Sequence, residues 1–70
     1  MGFHAMAIQV SVFYEQGIIA ITLFNTPFAA QAEFEQAVKN EHVNRIDIEE
    51  KNSFDPQWRK VSQWFRNEKG

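Results

Sequence analysis

Apolar and polar residues alternate from Met6 to Tyr14. Met6, Ile8, Val10, Val12 and Tyr14 fall on one side, and Ala7, Gln9, Ser11 and Phe13 on the other. A period of two with β-branched residues predicts a strand. Glu15-Gln16-Gly17 interrupts the run, and Gly17 can supply the positive φ of a tight turn. Ile18 to Phe24 then resumes as a second strand. A two-residue turn at Gln16-Gly17 sets Glu15 opposite Ile18, Tyr14 opposite Ile19, Val12 opposite Ile21 and Val10 opposite Leu23. The other face then pairs Phe13 with Ala20, Ser11 with Thr22 and Gln9 with Phe24. A three-residue turn with a bulge would shift the pairing by one and mix the faces. Clean segregation of side chains favours the two-residue turn, because a one-residue slip moves every side chain to the other face.

Asn25-Thr26-Pro27 carries a helix-start signal: an N-cap side chain followed by proline at the first helical position. A helix over 27–40 follows, with Ala30, Phe34, Ala37 and Val38 as its inward stripe and Asn40 as its stop. Val43 to Glu50 predicts a third strand, with Ile46 and Ile48 on one face and Arg45, Asp47 and Glu49 on a solvated outer face. Asp55-Pro56 repeats the cap-then-proline signal. Phe54, Trp58, Val61 and Phe65 follow at i, i+4, i+7 and i+11, predicting a second amphipathic helix over 55–67.

The expected architecture is α+β, in the order ββαβα. A three-stranded, mainly antiparallel sheet of order 2-1-3 packs against helix 27–40. That helix covers the face bearing Ile8, Val10, Val12, Ile19, Ile21, Leu23, Ile46 and Ile48. The opposite face then carries Phe13, Ile18, Ala20 and Phe24 among Gln9, Ser11 and Thr22, which is unusually apolar for a face open to water. Its cover is the second helix, a second copy of the protein, or another protein. Residues 1–5 read as a flexible tail or expression remnant, and 6–70 as one domain.

Composition narrows the function classes. The chain has 70 residues, of which 44% are hydrophobic and 14% aromatic, and no cysteine, so disulfides and thiolate metal sites are excluded. A formal net charge of −2 disfavours a strongly basic nucleic-acid binder. The charge is nevertheless uneven: residues 1–38 contain no Lys or Arg, while Arg59, Lys60, Arg66 and Lys69 cluster near the end. There is no basic stretch ahead of the first apolar run and no apolar run near the roughly 20 residues of a membrane span, so the expectation is a cytoplasmic protein that does not meet a membrane.

Catalytic chemistry finds little support. His4 and His42 have no metal-ligand spacing, no glycine-rich phosphate loop exists, and Ser11, Ser53 and Ser62 lack an evident base. Asp47, Glu49 and Glu50 are an acidic cluster best explained as a solvated strand face. The expectation is a non-enzymatic protein with no catalytic residue, metal, cofactor or small-molecule substrate. It would be a small protein–protein interaction module of the accessory or inhibitor kind found in phages and mobile elements, acting by surface occlusion or self-association. The candidate contacts are Phe13, Ile18, Phe24, Trp64, Arg59 and Arg66, because exposed aromatic residues and Arg are what interface hot spots favour. The alternative is nucleic-acid binding by a basic second helix through Arg59, Lys60, Arg66 and Lys69.

Overall fold

The computed structural model describes residues 6–52 and 56–66. The expected tail, His4, Phe54, Asp55 and Lys69 lie outside them. Within them the chain forms β1 (Met6–Tyr14), β2 (Ile19–Phe24), α1 (Pro27–Val38), β3 (Val43–Asn52) and β4 (Arg59–Phe65). The strands make one antiparallel sheet in the order β2-β1-β3-β4. α1 packs across one face of β1, β2 and β3. The α+β class and the seat of β3 beside β1 agree with the sequence pattern.

The second helix does not form; its place is taken by β4. The segment pairs with β3 from Arg45↔Phe65 to Glu50↔Arg59. Backbone demand explains this outcome: without β4, the outer edge of β3 would leave its amides and carbonyls unpaired beside the core. The segment is also rich in Val, Trp and Phe, which suit a pleated surface better than a short helix. Its helical look comes from a bulge. The register shifts between Ile48 and Glu49, so Val61 is inserted between the paired Lys60 and Ser62 and the period of two is broken.

The hairpin register also differs from expectation. Tyr14 N donates to Ile18 O at 2.9 Å and Gly17 N to Tyr14 O at 2.9 Å, which closes a three-residue loop at Glu15-Gln16-Gly17. Gly17 has φ +92°, and no described residue other than glycine has a positive φ. The physical reason lies in Gln16. Either twist-compatible two-residue turn needs positive φ at its first central residue, here Gln16, whereas the three-residue loop needs it only at its last, here Gly17. The pairing is therefore Val12↔Ala20, Phe13↔Ile19, Ser11↔Ile21 and Gln9↔Leu23. Ala20, Thr22 and Phe24 join the helix side. Ile19, Ile21 and Leu23 turn to the outer face.

The core sits between α1 and the central strands. Ile8, Val10 and Val12 of β1, Val43 and Ile46 of β3, and Ala30 and Ala37 of α1 are buried. Phe34, Val38, Phe24, Ile48, Tyr14 and Trp64 pack around them. The predicted helix stripe of Ala30, Phe34, Ala37 and Val38 is thus the packed one. Thr26 Oγ1 accepts from Ala29 N at 3.2 Å and Pro27 opens the helix. The end is marked by Asn40 N donating to Ala37 O at 3.0 Å.

Gly17 faces open space, so a Cβ there meets nothing within 4 Å and only backbone conformation opposes substitution. Gly17→Ala is expected to lower the unfolding free energy by about 1 kcal/mol, and Gly17→Asn by less, since Asn tolerates the left-handed region. Urea denaturation of the three proteins measures the order.

Candidate interaction surface

On the outer face, side chains from neighbouring strands stand in rows set by the register. One row runs Ile19, Phe13, Arg45, Phe65; the next Ile21, Ser11, Asp47, Gln63; the third Leu23, Gln9, Glu49, Lys60. The rows divide into two regions of opposite character.

Over β1 and β3 the face covers itself, while on β4 Phe65 stays 59% exposed. Asp47 is only 5% exposed although it lies on the side away from α1. Arg45 grips it in bidentate fashion, Nε to Oδ1 at 3.0 Å and Nη2 to Oδ2 at 2.7 Å. Gln63 Nε2 donates to Oδ1 at 3.1 Å, and Lys60 Nζ stands 3.3 Å from Oδ2. The Arg45 guanidinium also lies 4.5 Å from the Phe13 ring centroid and 5.7 Å from that of Phe65. The planar cation contacts both rings and stays paired beneath. Gln9 Nε2 adds a bond to Glu49 Oε1 at 2.8 Å. The outer face of β3 is a charge network built around one buried carboxylate, not the freely solvated strand face its composition suggested.

Over β2 the face is bare. Ile19, Ile21 and Leu23 are 52%, 59% and 62% exposed, and Ile18 at the turn is 60% exposed. β2 is also an edge strand. The Tyr14–Ile18 bond marks a hydrogen-bonded pair; alternation along the ladder then points the backbone groups of Ala20, Thr22 and Phe24 toward β1 and those of Ile19, Ile21 and Leu23 outward. No described strand pairs with that edge. β2 has no charge, no proline and no bulge toward its free side, the devices by which edges are usually guarded.

The opposite edge is guarded. β4 begins with Arg59 and Lys60 and contains the bulge. After it, Arg66 folds back: its N donates to Asn44 O at 2.9 Å, Nε to Val43 O at 2.8 Å, and Nη2 to Val38 O and Asn40 O, each at 2.9 Å. Arg66 thereby satisfies carbonyls at the end of α1, where a cation is also favoured by the helix dipole.

The candidate contact residues are dispersed by this arrangement. Phe13 lies under Arg45, Phe24 packs on the helix side, and Ile18 is exposed at the turn. Trp64 packs edge-on to Phe34, centroids 6.4 Å apart and planes at 87°, with the Arg66 guanidinium 5.0 Å from its ring. Arg59 and Lys60 are exposed, Lys60 while paired with Asp47, and Arg66 is engaged internally. The residues that the sequence pattern missed are Ile19, Ile21 and Leu23. The signal for them was Gln16, which disfavours the positive φ that a two-residue turn asks of its first residue.

A cleft of about 210 Å³ opens between α1 and β3–β4, lined chiefly by Ile8, Ala30, Phe34, Ile48 and Val61 with Glu50 at its rim. It is smaller than ordinary ligand pockets. Among the described residues no three His, Cys, Asp or Glu side chains converge as metal ligands, and no helix is long and apolar enough to cross a membrane. Compared with protein-family models, curated proteins and solved structures, the chain matches none.

Two titrations test the electrostatics. Arg45, helped by Gln63 and Lys60, holds the Asp47 carboxyl down at about pKa 2 against the cost of its burial. A depressed carboxylate contributes stability above its unfolded-state pKa and loses it as pH falls toward 2. Asp47→Asn is therefore expected to cost about 2 kcal/mol at pH 7 and to converge with wild type near pH 2, as read by urea unfolding across that range. At the hairpin, Glu15 Oε2 lies 2.6 Å from His42 Nδ1, and Glu15 N donates to His42 O at 2.8 Å. The hydrogen bond and charge of Glu15 raise the His42 pKa. Proton NMR should place its midpoint above 6.5, and Glu15→Gln should bring it down. The pair's contribution is present below pH 6.5 and fades as pH rises through the raised value.

Proposed function

We propose that this protein is a non-enzymatic protein–protein interaction module that works through β2, by occluding a surface or by associating with itself. The observation that carries the reading is the coincidence of unpaired backbone and exposed Ile19, Ile21 and Leu23 on one uncharged edge strand. Each feature alone is common; together they form a surface that recognises an extended strand, with main-chain bonds giving affinity and aliphatic side chains giving fit. The small self-covered region beside it supplies a polar rim of Arg45, Gln63 and Lys60.

Nucleic-acid binding has less behind it. Its basic helix is a strand, and Lys60 and Arg66 are turned inward to Asp47 and to backbone carbonyls.

The test compares wild type, Ile21→Lys and Arg59→Ala as baits in extract of the source cells, with folding confirmed by circular dichroism and melting. Ile21→Lys is expected to lose at least tenfold of whatever wild type retains, its own untagged copy included, while Arg59→Ala retains it. Equal retention by wild type and Ile21→Lys sinks the proposal.

A further inference from the structure

We propose that β2 pairs antiparallel with β2 of a second copy, about a two-fold axis at Ile21, joining two four-stranded sheets into one. The inference rests on the interaction-module reading and names the partner.

Register geometry selects this pairing. The outward backbone groups belong to Ile19, Ile21 and Leu23. A two-fold axis between Ile21 and Thr22 would oppose an outward residue to an inward one and is excluded. An axis at Ala20 would run the pairing into the turn, and one at Thr22 would leave Ile18 and Ile19 unmatched. The axis at Ile21 matches the whole segment from Ile18 to Phe24. Ile19 then pairs with Leu23 of the second copy, Ile21 with itself, and Leu23 with Ile19, each pair exchanging both main-chain bonds.

The side chains suit the same axis. On the outer face every cross-strand pair is aliphatic against aliphatic, so the exposed column becomes a continuous apolar band. On the helix face the opposed residues are Ala20 and Thr22, small enough to keep the two strands at sheet spacing beside α1. β2 has no charged residue, so no like charges are set opposite each other. The other edge supplies the closing argument. β4 leaves Val61 and Phe65 52% and 59% exposed but carries the bulge, Arg59 and Lys60, so among the described strands β2 is the edge without a guard. An isologous β2–β2 contact consumes the unguarded edge of both copies and stops at two.

The absence of cysteine makes the register directly testable. Ala20 and Thr22 of opposite copies form a non-hydrogen-bonded pair with Cα atoms roughly 4.5 Å apart, within disulfide reach. Ala20 to Ala20, or Thr22 to Thr22, is roughly 8 Å, beyond it. Wild type should sediment at twice its 8.2 kDa mass and Ile21→Lys, folded, at 8.2 kDa. Under mild oxidation a mixture of Ala20→Cys and Thr22→Cys proteins should cross-link, at least tenfold faster than either alone. A wild type that stays at 8.2 kDa up to about 0.5 mM overturns the pairing, as does cross-linking of Ala20→Cys alone at the rate of the mixture. If that monomer still captures another protein and Ile21→Lys does not, self-pairing fails while the interaction-module reading stands.

Discussion

The arrangement of this molecule depends on one backbone angle. Gly17 takes φ +92° at the third position of the hairpin loop, and the register of β1 against β2 follows from it. Were the loop one residue shorter, Ile19, Ile21 and Leu23 would lie under α1, and Ala20, Thr22 and Phe24 would lie outside. The core would gain three large aliphatics, and the outer edge would lose the patch that distinguishes it. The same loop also places Glu15 against the start of β3, where its amide and carboxylate both reach His42. The turn therefore fixes one edge of the sheet to the junction that follows the helix.

A thin sheet with one helix leaves its second face to be stabilised by its own side chains. Here β3 does this with a buried carboxylate. Isolated, Asp47 would be costly at 5% exposure. Bidentate Arg45, Gln63 and Lys60 satisfy it, and Arg45 in turn lies over Phe13 and Phe65. The network spans β3 and β4 and reaches β1 through Arg45 over Phe13; along the Asp47 row, Ser11 and then Ile21 follow, and Ile21 offers no polar group. The boundary between the covered and bare parts of the face is thus a boundary in side-chain chemistry.

Much of this was legible in the pattern of residues. The two hairpin strands and the capped helix with its Ala30/Phe34/Ala37/Val38 stripe follow from periodicity and capping, and the seat of β3 beside β1 is the preferred one of the two the pattern allows. Two features were not legible, each for a physical reason. The bulge at Val61 gave Trp58, Val61 and Phe65 a helical spacing, and only the unpaired edge of β3 decides for a strand. The hairpin register turned on a backbone preference at Gln16 that outweighs side-chain segregation. Arg66 shows a third kind of limit: the pattern offered it as a partner contact, but its guanidinium bonds the carbonyl of Val38 at the end of α1, 28 residues earlier, a pairing that only tertiary structure creates.

The two edges of the sheet then bear on each other. An open sheet with two bare edges polymerises, and one with two guarded edges stays alone. This chain spends Arg66, a bulge and two basic residues at one side only. Guarding β4 has a structural motive, since the same residues hold α1 and Asp47 in place; leaving β2 apolar has none within a single copy. Ile19, Ile21 and Leu23 contribute little to the fold where they stand, and three exposed aliphatics on an unpaired strand carry an aggregation risk. That cost has no return within one copy, and the proposed β2–β2 pairing supplies one, since the residue order of β2 is symmetric in size and charge about Ile21.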